Sequence, residues 1–402
     1  MKILVINAGS SSIKYQLFDL APFESVRCSG YVERIGEASG QLLHRVHQKG
    51  GDHEHEQECP VPDHAAGMAL ILDALTDREH GVIHDVAEIT GVGHRVVHCG
   101  EAYSDAVLID DNVLKAIRDH VPLAPLHNPP NLTGIEVARE LFSETPQVAV
   151  FDTAFHQTIP PHAYLYALPF DYYTTHRVRR YGFHGTSHKF IAAEAAAFLD
   201  KPVPDTCLIS IHLGNGCSMA AIDAGRCIDT TMGMTPLEGL VMGTRCGDID
   251  PAVHEYLVGQ TGQDIAQITE VMNRQSGLKG LCGTNDMRDV KARAAAGDEQ
   301  ANRALDVYCY RIKKYIGAYS AILPDLDAIV FTAGVGQNVP LVRARICAGM
   351  ERIGIVLDDA LNEQEATQTR EIHAAYSPVK VLVIPTNEEL QIARETCEVL
   401  QA

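Results

Sequence analysis

The chain has 402 residues, 46% hydrophobic and 21% charged, enough apolar material for a sizeable core and for two domains or one large divided one. Its formal net charge of −19 argues against a non-specific binder of nucleic acid or anionic membrane. No stretch approaches the ~18 apolar residues of a membrane span, the apolar run in Met1–Asn7 is too short for a signal peptide, and 11 cysteines without a C-x-x-C pair suit free thiols in a reducing cytoplasm.

Strands and helices are expected in alternation. Ile3–Ile6 and Ile13–Leu20 read as a hairpin around the turn Asn7-Ala8-Gly9-Ser10-Ser11-Ser12. Extended segments follow near Arg27–Arg34 and Gln41–Gln48, and the polar, proline-terminated stretch Gln48–Pro62 reads as a surface loop. Asp111–His120 and Asn131–Leu141 have helical spacing, with Pro122, Pro125, Pro129 and Pro130 opposing helix between them. Gln147–Phe151 is a strand, Ser187–Leu199 an alanine-rich helix and Thr206–Leu213 an apolar strand. Asp250-Pro251 reads as an N-cap followed by proline at the first helical position. Helices are expected over Asn302–Ile322 and Leu341–Ile353, and buried strands over Asp327–Thr332 and Val379–Ile384. Thr386 and Glu389 have capping-box spacing for a closing helix to Leu400.

One internal similarity stands out. Ile3–Gly9 and Leu208–Gly214 are both apolar strands that run into a small-residue turn and then a second strand, Ile13–Asp19 and Ser218–Asp223. Two domains on a common plan would give this pattern, and so would any strand entering a glycine-rich turn. There is no G-x-x-x-x-G-K-[ST] motif, but phosphates can also be held by backbone N–H groups, hydroxyls and a lysine. Asn7–Lys14 offers all three, with the Asn7 amide oxygen as a magnesium ligand; an ordinary polar hairpin loop reads the same way. His212-Leu213-Gly214-Asn215-Gly216 and Gly334-Val335-Gly336-Gln337-Asn338 are two more strand-then-glycine loops, and ligands of α/β folds gather at the carboxyl ends of strands. Asp286-Met287-Arg288, by itself, reads as a solvated helix terminus.

At this point the chain resembles the acetokinase family, within the superfamily of sugar kinases, Hsp70 and actin. The resemblance runs from Val5–Lys14 to Pro385-Thr386-Asn387-Glu388-Glu389. Between them it includes Gly93–His98, Phe151–His156, Arg180–His188, Met242-Gly243-Thr244-Arg245 and Gly247–Pro251. It implies an α/β fold of two actin-like (ribonuclease H-like) domains, 1–151 plus 389–402 and 152–388, with the active site in the cleft between them and closure on nucleotide. It implies a homodimer. The implied enzyme is a phosphotransferase with a carboxyl acceptor, moving a phosphoryl group reversibly between ATP and acetate to give ADP and acetyl phosphate. Magnesium, or manganese in its place, would assist. Propionate or butyrate is the alternative acceptor, and a non-catalytic ATP-binding module the alternative of another class.

The resemblance also assigns roles. Lys14, His212, Leu213, Gly214, Asn215, Gly216, Asp286, Met287, Arg288, Gly334, Val335, Gly336, Gln337 and Asn338 would bind ATP, and Asn7 and Glu388 the metal. Arg95 would bind acetate against an apolar wall of Val97, Leu126 and Pro236. His184 and Arg245 would stabilise the transition state, and Asp152 is the family's catalytic aspartate. The chemistry agrees with a cationic site: acetate is already ionised, so the difficulty is bringing one anion to another, which arginines and a metal relieve. Orientation of an arginine, or water-mediated metal ligation, then suits Asp152 better than proton abstraction. The apolar wall discriminates weakly, since one methylene is worth only ~1–3 kcal/mol.

His44, His47, His53, His55, Cys59 and His64 look metal-rich, but their spacing fits no tight zinc pattern. Three departures from the family pattern are Cys99 for glycine, Cys246 for serine and Gln337 for glutamate. Cys246 is a candidate for sensitivity to thiol reagents.

Overall fold

The computed structural model describes residues 1–48, 50–365 and 367–402. They form two compact units, Met1–Phe155 with Asn387–Ala402, and His156–Thr386.

The first unit is built on eight strands: β1 (Lys2–Ala8), β2 (Ser12–Asp19), β3 (Ser25–Glu33), β4 (Gly40–Val46), β5 (His53–Cys59), β6 (Gly91–Val96), β7 (Val107–Leu108) and β8 (Gln147–Phe151), in the order β5-β4-β3-β2-β1-β6-β8-β7. Successive side chains of β1 go to opposite faces, as the strand period requires. Leu4 and Ile6 join a core with Met68 and Ile71 of helix His64–Thr76. Ile3 and Val5 join another with Ile392 and Ala393 of helix Glu388–Gln401. That last helix lies so close to β6 that a Cβ on Gly93 would come within 2.3 Å of Thr396 Oγ1; the glycine permits the approach.

The second unit has six strands: β9 (Cys207–Leu213), β10 (Cys217–Asp223), β11 (Arg226–Thr230), β12 (Ala328–Thr332), β13 (Arg370–Glu371) and β14 (Lys380–Val383), in the order β11-β10-β9-β12-β14-β13. β9 and β12 are buried at every position, as expected of parallel central strands. The two sheets repeat one plan. In each, the first three strands are antiparallel neighbours, and the first strand also pairs in parallel with a later one that pairs in parallel with the next: β1 with β6 and β8, β9 with β12 and β14. The similarity between Ile3–Gly9 and Leu208–Gly214 is thus one of equivalent strands.

Several sequence expectations need correction. Within Gln48–Pro62 the segment His53–Cys59 is strand β5, paired antiparallel with β4; it sits at the sheet edge with mostly exposed, charged residues, so it carries no hydrophobic period. Lys49 of that stretch lies outside the described residues. Pro129 and Pro130 fall in the first turn of helix Asn128–Leu141 rather than before it, where a missing N–H costs nothing. Helix Ala252–Thr261 is capped by Pro251, and Asp250 Oδ1 accepts from Ala252 N at 2.9 Å. The helix expected over Leu341–Ile353 is Pro340–Cys347, ended by Gly349 at φ +73°. The last helix is capped by Asn387, which accepts from Leu390 N; Thr386 Oγ1 bonds Ser187 Oγ instead. Gly334–Asn338, read as a loop, lies in the short helix Ala333–Asn338.

Candidate active site

In the first unit the candidate residues collect at the carboxyl ends of adjacent strands. Asn7, next to last in β1, pairs with Lys14 of β2. Arg95 is on β6, and Asp152 follows β8 with its N–H on Val96 O. Asp152 is buried, and its two oxygens accept from Arg95 Nε at 3.2 and 3.1 Å and from Nη2 at 2.5 Å. Arg95 Nη1 reaches Asn7 Oδ1 at 3.5 Å. Burial works against the Arg95 charge, but Asp152 and Glu388 outweigh it and hold the guanidinium firmly cationic. Glu388 opens the last helix. Burial, followed by the charges of Asp152 and Glu389, outweighs Arg95 and Lys14 and pushes its carboxyl up to about 7. A carboxylate so crowded by its own kind, with the Asn7 carbonyl oxygen on the neighbouring arginine, matches the hard oxygen donors that magnesium or manganese takes. Among the described residues no three His, Cys, Asp or Glu are gathered as a metal cluster, in this region or in the histidine-rich one around His44. Val97 is buried, its N–H on Asn131 Oδ1, whereas Leu126 is 62% exposed.

In the second unit β9 ends at His212 and Leu213, and the turn Gly214–Gly216 leads into β10. His184 precedes helix Gly185–Phe198 in the left-handed region, φ +59°, which costs a non-glycine residue roughly 1 kcal/mol or more. Its ring stacks on His212 at 4.3 Å. A Cβ on Gly216 would meet Arg245 Nη1 at 3.3 Å and His184 Nε2 at 3.4 Å, so Gly216 keeps open one spot that both groups face. Arg245 Nη1 donates to Pro236 O at 3.3 Å and lies by Met242 Sδ at 3.5 Å. Among the described residues Arg245 has no carboxylate partner, and burial lowers its pKa. Within this unit Pro236 therefore sits beside Arg245.

The remaining ATP candidates belong to this unit. Asp286 caps helix Met287–Ala295 and pairs with Arg288, which holds its carboxyl down at about 2. Leu213 and Met287 are core side chains, so only their backbone could serve a ligand. Asn215 Oδ1 accepts from Asn285 Nδ2 at 3.0 Å. Gly334 is exposed and Gly336 is buried against Phe331; Val335, Gln337 and Asn338 complete that helix. Arg343, wholly buried, donates to Gly336 O at 2.9 Å and Gln337 O at 2.8 Å and so pins it.

The acetokinase family model matches residues 2–394. The chain belongs to the acetokinase family. It is 54% identical to an acetate kinase of Nitratidesulfovibrio vulgaris over all of this chain and 99% of that one. The solved acetate kinase of Porphyromonas gingivalis superposes with a TM-score of 0.94 at 43% identity, and a propionate kinase of Francisella tularensis with 0.91 at 39%, each over 99% of both chains. The repeated sheet plan is accordingly the two-domain, actin-like α/β fold, and the chain is a kinase of carboxylates.

Within that family frame, sequence reasoning missed a supporting set. Asn131 bridges Val97 N and Ala8 O, tying the end of β6 to β1, and Asn128 ties the His98 backbone to Ile117 O of helix Asp111–Asp119. Arg180 donates to the carbonyls of Thr230, Thr231 and Met232 and to Glu238, bracing the segment that carries Pro236. Polar residues bonded to backbone have no sequence period, which is why they were not legible; the two asparagines three apart beside Pro129-Pro130 were the available signal. Cys99 is buried, its thiol pushed up to about 12, and the half-buried Cys246 is also raised by burial. Both are poor thiolates, so the expected thiol sensitivity of Cys246 has little electrostatic support.

Proposed function

We propose that this chain catalyses reversible phosphoryl transfer between ATP and acetate, giving ADP and acetyl phosphate. A carboxylate oxygen of acetate forms the new bond to the γ-phosphorus as the bond to the ADP oxygen breaks. The nucleophile is ionised beforehand, so no base is required, and the protein's work is positioning and charge neutralisation. One observation carries the reading: two arginines stand in contrasting states, Arg95 clamped by Asp152 and Arg245 without a carboxylate partner among the described residues.

Asp152 would orient Arg95 so that its remaining N–H groups meet the acetate carboxylate, with Val97, Leu126 and Pro236 around the methyl group. Arg245 and His184 would donate to the phosphoryl oxygens as charge moves onto them. Lys14, the turn His212–Gly216, Asp286–Arg288 and Gly334–Asn338 would hold the nucleotide. Asn7 and Glu388 would hold magnesium, which when bound screens the phosphate charge. Domain closure on nucleotide, a cytoplasmic location and a homodimer complete the proposal. The exposed Leu168, Phe170 and Tyr172 would supply apolar surface to a second copy.

The test is acyl-hydroxamate formation from ATP and magnesium with acetate, propionate and butyrate in parallel. Acetyl hydroxamate should form with the highest kcat/KM, and chelation of magnesium should stop it. Preference for propionate would move the assignment to the sister activity of the Francisella tularensis relative, and no product from any acid would leave an ATP-binding module.

A further inference from the structure

Behind His184 runs a buried chain of hydrogen bonds that no step above uses. Ser210 and His212 of β9 and Ser218 of β10 share one face of the hairpin, Ser218 pairing with His212 across it. His184 and His188, four apart, share one face at the start of helix Gly185–Phe198. The contacts are Ser210 Oγ to His188 Nδ1 at 2.8 Å, His188 Nε2 to Ser218 Oγ at 2.8 Å and Ser218 Oγ to His184 Nδ1 at 2.9 Å. Ser210, His188 and Ser218 are 0% exposed.

Proton counting gives this chain a direction. His188 is neutral, because burial and then His156 and His212 lower its pKa well below 6.5, so one ring nitrogen donates and the other accepts. Among the described residues Ser210 Oγ meets only His188 Nδ1. If Nδ1 carried the proton, the Ser210 hydroxyl hydrogen would be buried without an acceptor, at a cost of about 1–3 kcal/mol. Ser210 therefore donates to Nδ1, and the His188 proton is on Nε2 and donates to Ser218 Oγ. The Ser218 hydroxyl then donates to His184 Nδ1. That leaves the His184 proton on Nε2, the nitrogen that faces the spot shared by Gly216 and Arg245.

We propose that Ser210, His188 and Ser218 form a positioning relay that fixes the tautomer of His184, so that Nε2–H is a permanent, uncharged donor to the transferring phosphoryl group. The inference rests on the role given to His184 above. It makes His184 a neutral donor beside the cationic Arg245. Reversing the tautomer requires the whole chain to turn over and leaves the Ser210 hydrogen unmet.

The direct measurement is 15N NMR of histidine-labelled full-length enzyme, with signals assigned by their loss in His184→Asn and His188→Asn. Both rings should be neutral with the proton on Nε2; an Nδ1–H form of either in the wild type overturns the relay. Ser218→Ala should lower kcat about tenfold or more while KM for ATP and for acetate moves by less than about twofold, and Ser210→Ala should shift His184 toward a mixture of tautomers. An unchanged kcat in Ser218→Ala, or an unchanged His184 tautomer in Ser210→Ala, also overturns it. Should Ser218→Ala not fold, the wild-type spectrum and Ser210→Ala decide. His184→Ala separates the two readings: full activity there removes the role of His184 itself, whereas an inactive His184→Ala beside a fully active Ser218→Ala removes the relay alone.

Discussion

Arg95 and Arg245 are both half-buried arginines, the first on β6 and the second on the irregular segment between β11 and helix Ala252–Thr261, and their surroundings differ. Arg95 is matched by Asp152 and has Glu388 and Asn7 around it. Arg245 has a carbonyl, a thioether and the stacked histidine pair beside it, and burial lowers its pKa with no carboxylate among the described residues to offset it. An arginine already neutralised by a carboxylate is a good aiming device and adds little net field. One left uncompensated in a partly desolvated place is primed for an incoming anion. On the proposed function, the first cluster would position the ground state and the second would stabilise the transition state.

The largest expected effect tests the second half of that contrast. Arg245→Ala should lower kcat about 10³-fold with little change in KM for acetate; a loss confined to KM would show the two arginines doing the same job. Next, Asp152→Asn keeps a hydrogen-bond acceptor but removes the charge that holds Arg95. It should lower kcat/KM for acetate about 10²-fold, chiefly through KM. An effect confined to kcat would instead support a proton-transfer role for Asp152. Gly216→Ala should cost about tenfold in kcat, because the added Cβ meets Arg245 and His184 at 3.3–3.4 Å and must displace one of them by a few tenths of an ångström. Wild-type rates there would mean that the two groups need not be so close.

A further effect concerns stability rather than rate. His94 of β6, fully buried on Gln147 Oε1, has its pKa lowered from 6.5 to about 4 by desolvation. The unfolded chain then binds more protons than the native one across that window. Stability should therefore be constant above about pH 6.5 and fall as pH drops toward 4, by about 3 kcal/mol from this residue. Urea denaturation at pH 7 and pH 5 would measure it, and His94→Gln should flatten the slope.

How much of this was legible beforehand divides by range. Local rules placed the β1–β2 hairpin, the apolar central strands and the long helices, since a period of 2 or 3.6 and a glycine turn are properties of neighbouring residues. They failed at β5, where an edge strand needs no apolar face, and at Pro129-Pro130, which stand as well inside a first turn as before one. They also misplaced the cap at Asn387, where three polar residues compete within one step. The candidate residues Arg95, Asp152, His184 and Arg245 were named from motifs in the sequence. Their states were not, because Arg95 meets Asp152 across 57 positions and Ser218 reaches His184 across 34. By itself the sequence determined the α/β class, the repeated strand-turn-strand unit and the family. Only the tertiary structure decided which arginine is compensated and which hydroxyls meet the nitrogens of His184 and His188, since charge pairing and hydrogen bonding depend on distance in space.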